Sequence, residues 1–237
     1  MSLLASLGAV LLSSSLTFPG LRPVHSGQTI FVIVLDVTTS VAAEDFALYR
    51  DSLRQLFTTP EPRDLLFLLE LDSDCQRDPA PQRFELAGPR LKFPDRIRGV
   101  FQRACAIEQR PPSYSGTTNI GSVLSWICQL TDIRQGTSGK RAQYHVFVFT
   151  DGVCDGPQST CRRALPNGVE VSLYFLGVDG SSTSVEADLR SLCQVNGFNP
   201  DAVHFVPIAA ILEAGALIHN SLGRLGNPSI EAALQDN

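Results

Sequence analysis

The sequence predicts an α/β fold: a doubly wound, mostly parallel central sheet with helices on both faces. Three observations carry that prediction. Apolar runs of strand length alternate with helix-length stretches of amphipathic spacing along the chain. The two strongest runs, residues 30–35 and 146–149, are apolar without alternation, as in strands covered on both faces. Each ends at or just before a carboxylate, Asp36 and Asp151, and open parallel sheets hold their ligands at that edge. A chain of 237 residues suits one domain with a full core and short extensions. Residues 29–223 are assigned to the domain, 1–28 to an N-terminal apolar segment and connection, and 224–237 to a C-terminal tail.

Each element has its own grounds. Residues 3–12 have the length of a signal-peptide core, and Ser13, Ser14 and Ser15 offer a small-residue cleavage region. No Lys or Arg precedes that core, and the first basic residue is Arg22. A cleaved signal and a packed terminal extension therefore both stay open, as do cytoplasmic and extracytoplasmic locations. After the strand at 30–36, residues 44–57 read as a helix burying Phe46, Leu48, Tyr49, Leu53 and Leu56. Pro60 and Pro62 stop it. Residues 64–71 are the second strand, and Asp72, Ser73 and Asp74 beyond it read as a solvated loop rather than a second metal site. Prolines flank 82–86, which reads as a short edge strand. Residues 94–108 read as a helix with Ile97, Val100, Phe101 and Ala104 inward and Arg96, Arg98 and Arg103 solvated.

Further along, Val123, Trp126 and Leu130 mark a helix over 123–130, with Trp126 in the core. A polar connection over 134–141 leads to the strand ending at Asp151. Residues 153–167 form a long loop of the kind that decides partner choice. A strand at 169–178, a helix at 184–195, a strand at 203–206 and an apolar-rich terminal helix at 208–222 complete the domain. His145, His204 and His219 read as ordinary residues of these elements, and His25 lies in the N-terminal connection.

Oxygen donors gather where the first strand ends: Asp36, Thr38, Thr39 and Ser40. A second group, Ser115-Gly116-Thr117-Thr118-Asn119-Ile120-Gly121, runs into the helix at 123–130. A third, Thr150-Asp151-Gly152, ends the next buried strand. This ordered set resembles the von Willebrand factor type A (vWA) domain and its metal-ion-dependent adhesion site (MIDAS), whose pattern is D-x-S-x-S, a loop Thr before a helix, and a strand-end T-D-G. Asp36, Thr38 and Ser40 match the first part, with Thr38 in place of the first Ser. The hydroxyl survives that exchange, while the added methyl crowds the site. Thr118 matches the loop Thr through Thr-Asn-Ile-Gly, with Thr117 as the register alternative, and Asp151 matches the last part. The resemblance spans residues 29–223.

It implies a site in which Thr38 and Ser40 hold a metal directly, Thr118 directly or through water, and Asp36 and Asp151 largely through water. Mg²⁺ wants oxygen ligands at about 2.1 Å in octahedral geometry, and no His or Cys in the motif suggests a softer metal. Mg²⁺ is the expected ion, with Mn²⁺ or Ca²⁺ as alternatives. The expected partner is a protein that completes the metal shell with an acidic side chain. The resemblance also implies that partner binding can shift the terminal helix at 208–222.

Composition narrows the alternatives. A net charge of −5 without a long basic run argues against a nucleic-acid surface. No stretch is long and apolar enough to be a confident membrane-spanning helix, and membrane association stays open. The six cysteines include no C-x-x-C pair, so zinc has no support. Cys154 and Cys161 share the loop after Asp151 and could clip it if oxidised. A metal-free scaffold of the same fold, serving a larger complex, is one alternative function. The other is a phosphatase resembling the haloacid dehalogenase superfamily, with Asp36 as nucleophile, Lys140 on phosphate and the Asp151 and Asp155 pair on metal. Thr38 stands where that superfamily places its general acid, which weighs against it.

Overall fold

The computed structural model describes residues 28–72, 75, 81–108, 117–138, 142–154, 158–162, 165–166, 168–178 and 183–235. The N-terminal segment, Asp74, Lys140, Asp155 and the approach to Thr117 lie outside the described residues. Six strands form one sheet: β1 (Thr29–Asp36), β2 (Leu65–Leu71), β3 (Gln82–Glu85), β4 (Gln143–Phe149), β5 (Glu170–Leu176) and β6 (Val203–Val206). Their order is β3-β2-β1-β4-β5-β6, with every pair parallel except the edge pair β2–β3. The expected fold class is the observed one.

Every residue of β1 is buried, which explains its unbroken apolar sequence. Phe31, Ile33 and Leu35 point into one core, and Ile30, Val32 and Val34 into the other. The first core is covered by α1 (Ala43–Leu56), α2 (Phe93–Glu108), α5 (Ala214–Leu222) and α6 (Pro228–Gln235). The second is covered by α3 (Ile120–Ser138) and α4 (Thr183–Val195). The chain leaves β1 for β2 on one side and reaches β4 on the other. The carboxyl ends of β1 and β4 therefore flank the point where strand order reverses.

Four expectations are corrected. The polar connection at 134–141 is helical as far as Ser138, because its short polar run continues α3 without a proline to stop it. The terminal helix at 208–222 breaks in two, a 3₁₀ turn over Ile208–Glu213 followed by α5. The 224–237 tail carries α6, whose Ile230 and Leu234 are fully buried in the first core. Arg98, expected on a solvated face, donates from Nε to the Ala233 carbonyl at 3.0 Å and fastens α6 to α2.

At the amino end of the sheet, Arg224 follows α5 and closes the domain. Its side chain is nearly buried and its Nη1 donates to the fully buried Asp64 carboxylate. Nη2 donates to Thr29 Oγ1 at 2.8 Å, and the guanidinium lies over the Phe31 ring. His145, read as an ordinary residue, is entombed between Phe31 and Tyr174. Burial, then Arg224, hold its pKa down to about 3, so it is neutral in the fold.

Candidate metal centre

β1 delivers Asp36 and β4 delivers Thr150 to adjacent positions, since Leu35 and Phe149 are partners in the ladder. Asp36 is wholly buried and both its oxygens are engaged. Oδ1 accepts from the Thr38 amide at 3.0 Å and from Thr38 Oγ1 at 2.7 Å. Oδ2 accepts from Thr150 Oγ1 at 2.6 Å. The Thr150 oxygen in turn accepts from the Gly152 amide at 3.0 Å, which sets the turn carrying Asp151. Asp151 is half-buried, and its Oδ1 accepts from the Val153 amide at 2.9 Å.

Three hydroxyls converge beside this carboxyl. Thr118 Oγ1 donates to Thr38 Oγ1 at 3.1 Å, and Ser40 Oγ lies 2.9 Å from the same atom. The single Thr38 proton points at Asp36, so Ser40 is the donor in its pair. Ser40 and Thr118 thus spend their protons on Thr38 and keep their lone pairs. Thr38 and Thr118 are buried and Ser40 is exposed, so the group opens toward solvent on the Ser40 side.

The Thr118 segment is held from three directions. Its neighbour Asn119 caps α3, accepting from the Ser122 amide at 3.0 Å. The Asn119 amide donates to the Asp72 carbonyl at 2.9 Å, which ties the segment to the end of β2. The acidic cluster after β2 thus supplies a backbone acceptor, through Asp72. On the far side, Gln158 Nε2 donates to the Thr118 carbonyl at 3.0 Å, and Gln158 Oε1 accepts from the Gly121 amide at 3.0 Å. Gly121 is required there: a Cβ would stand 2.1 Å from the Ser159 carbonyl oxygen.

The electrostatics are those of buried carboxyls, with a smaller repulsion between neighbouring carboxylates. Burial raises the Asp36 pKa to about 6; the Thr150 and Thr38 hydrogen bonds oppose the rise and the charge of Asp151 adds to it. Asp45, in the first turn of α1, is also raised, by burial, then Glu44, then Asp151. A cation here would relieve that repulsion.

Of the predicted residues, Asp36, Thr38, Ser40 and Thr118 form one hydrogen-bonded group, while Asp151, next in the chain to Thr150, accepts from Val153 and acts on Asp36 through its charge. The donor set fits an octahedral ion. Neighbouring ligands of Mg²⁺ at about 2.1 Å lie about 3.0 Å apart, close to the two hydroxyl separations, and an ion held by Thr38 would take the place of the protons that Ser40 and Thr118 direct at it. Sequence reasoning missed Thr150, Gln158 and Asp45. Thr150 stood in the strand-end motif without a role, and only the register beside Asp36 reveals one. Nothing in the loop sequence distinguishes Gln158 from a solvated residue.

No protein-family model and no curated protein matches the sequence. Solved structures do match it. The pilus adhesin SpaC of Lactobacillus rhamnosus GG aligns with a TM-score of 0.53 and 11% identity over 86% of this chain and 31% of that one. Proximal thread matrix protein 1 of the mussel byssus aligns at 0.50 and 13% over 82% of this chain and 48% of that one. An aerotolerance-related membrane protein of Bacteroides fragilis aligns at 0.50 and 13% over 84% of this chain and 100% of that one. The chain spans about half of the mussel protein and about a third of the adhesin. These neighbours include vWA-containing proteins, and the chain shares their Rossmann-like α/β architecture.

Proposed function

We propose that the domain is a metal-dependent protein-binding module of MIDAS type. It holds a Mg²⁺-type ion with Thr38, Ser40 and Thr118, balanced by Asp36 and Asp151, and captures an acidic group of a partner protein. One observation carries this reading: the Ser40 and Thr118 hydroxyl oxygens, 2.9 and 3.1 Å from that of Thr38 and so near an octahedral edge, gather beside a buried carboxyl at the switch point of the sheet. When bound, the ion supplies a Lewis-acidic position that a partner carboxylate can fill. The chain supplies the rest. Asp36 orients Thr38 through two hydrogen bonds, Thr150 fixes Asp36, and Asn119 with Gln158 holds Thr118 in place. The exposed Ser40 leaves the solvent side open to a partner. Likeness to a pilus adhesin supports an interaction role rather than catalysis.

The hydroxyls and Asp36 also satisfy one another without an ion, which favours the metal-free scaffold as second reading. A phosphatase is disfavoured, since both oxygens of its candidate nucleophile are buried and hydrogen-bonded. Calorimetric titration of EDTA-stripped protein with Mg²⁺ tests the proposal. Saturable binding lost in Thr118→Val, with folding intact, supports it. An absence of heat in the wild type at millimolar metal transfers the case to the scaffold.

A further inference from the structure

Cys154 and Cys161 share the loop after β4, with no disulfide between them. Cys161 turns onto α3. Its sulfur lies 3.5 Å from the carbonyl oxygen of Leu124, one helical turn before Cys128 on the same face. The Cys128 side chain lies against the Cys161 sulfur. Asn196, just past α4, touches both: its Oδ1 accepts from the Cys161 amide at 2.5 Å, and its carbonyl lies 4.0 Å from Cys128 Sγ. Two thiols are thus held in contact from three elements. None of the six cysteines is in a disulfide in the structure.

The same loop grips the Thr118 segment. Ser159 and Asn119 exchange two hydrogen bonds of 3.1 Å, and Gln158 binds the Thr118 carbonyl and the Gly121 amide. The Ser159 carbonyl lies against Gly121 so closely that no side chain fits. Whatever fastens Cys161 to α3 fastens this grip as well.

We propose that Cys128 and Cys161 are a redox modification site, in which a disulfide between them clamps loop residues 158–162 onto the start of α3. The clamp fixes the segment that presents Thr118; its value for metal capture rests on the function proposed above, whereas the bond itself does not. The two thiols differ in a way that suits stepwise oxidation. Cys161 is half-buried, and the hydrogen bond from Cys128 lowers its pKa, which favours the thiolate. Cys128 is buried, and that hydrogen bond together with burial raises its pKa.

The oxidant is a small-molecule disulfide of the glutathione type. The Cys161 thiolate attacks one of its sulfurs, forming a mixed disulfide and releasing one thiolate. Cys128 then gives up its proton to solvent and attacks Cys161 Sγ, forming the protein disulfide and releasing the second thiolate. Two protein thiols are oxidised and one small disulfide is reduced to two thiols.

The test uses the full chain in EDTA, so that no outcome depends on metal. Wild type, Cys161→Ser and Cys154→Ser are each incubated with oxidised glutathione, mapped by mass spectrometry, and compared by amide hydrogen exchange before and after reduction. The inference expects a Cys128–Cys161 cross-linked peptide, lighter by two hydrogen atoms, in wild type and Cys154→Ser and absent in Cys161→Ser. Exchange at Gly121 and Ser159 should slow by about tenfold or more on oxidation, since local opening governs it. Cys161 recovered as a free thiol, left as an unresolved glutathione adduct, or linked to another cysteine overturns the assignment. A Cys128–Cys161 bond that leaves those amides unprotected overturns the clamp. Mg²⁺ titration of the same samples tests the metal reading separately.

Discussion

The hydroxyl of Thr150 lies 2.6 Å from Oδ2 of Asp36 and joins the ends of the two central strands. It is the hydrogen bond on that oxygen besides those that Thr38 makes to Oδ1. Thr150→Val keeps the shape and deletes the donor, leaving a buried carboxyl oxygen without its partner. We expect a loss of about 1–3 kcal/mol in denaturant unfolding, with Thr150→Ser recovering most of it. An unchanged midpoint in Thr150→Val would show that the bond has no energetic weight.

Asp36 gives the site a pH signature in the absence of metal. Its folded pKa, about 6, lies above the usual carboxyl value of 3.8. Between those values the folded protein keeps a proton that the unfolded chain has lost, so this group's contribution falls as pH rises from about 4 to about 6. The loss is on the order of 3 kcal/mol. Unfolding in EDTA across this range should show the slope in wild type and not in Asp36→Asn. Parallel curves for the two proteins would mean that Asp36 titrates normally.

His145 acts in the opposite direction. Its folded pKa, about 3, lies below the ordinary 6.5. The unfolded chain takes up the proton first, so stability is complete above about 6.5 and declines as pH falls toward 3. By pH 5 the decline is about 2 kcal/mol. His145→Phe, which keeps an aromatic ring between Phe31 and Tyr174, should remove that part of the acid sensitivity. Equal acid sensitivity in variant and wild type would contradict the buried neutral imidazole.

The Arg224–Asp64 pair tests how the chain end is secured. Asp64 is fully buried and also accepts from the Thr29 amide at 3.2 Å and the Glu61 amide at 2.8 Å. Arg224→Met leaves that carboxylate without its cation and should cost about 3–5 kcal/mol, with Arg224→Met/Asp64→Leu recovering much of it. A loss below about 1 kcal/mol in the single variant, the worth of an exposed pair, would place the pair in solvent rather than in the core.

Much of the fold was legible because strands buried on both faces leave long apolar runs, and β1, β2, β4 and β5 all do. The site's own residues were legible because their hydroxyls and carboxylates sit where apolar runs stop. What was hidden depends on distance in the chain. Arg98 reads as surface until α6 arrives beside it, and Arg224 reads as tail until it meets Asp64. Cys161 lies against α3, with its sulfur 3.5 Å from the Leu124 carbonyl oxygen, a placement only the packing makes. The break between residues 208–213 and α5 is marked in the sequence only by Gly215, the second residue of α5, and no proline stands there.

Thermal unfolding of wild type and Asp151→Ala, each in EDTA and then in excess Mg²⁺, tests the central claim most directly. A ligand at a hundred times its dissociation constant stabilises the folded state by about 2.7 kcal/mol. The account predicts that Mg²⁺ raises the wild-type midpoint and leaves Asp151→Ala, folded in both buffers, where it was. Two folded proteins that ignore Mg²⁺ equally, or respond to it equally, would contradict a metal centre at Asp36, Thr38, Ser40, Thr118 and Asp151.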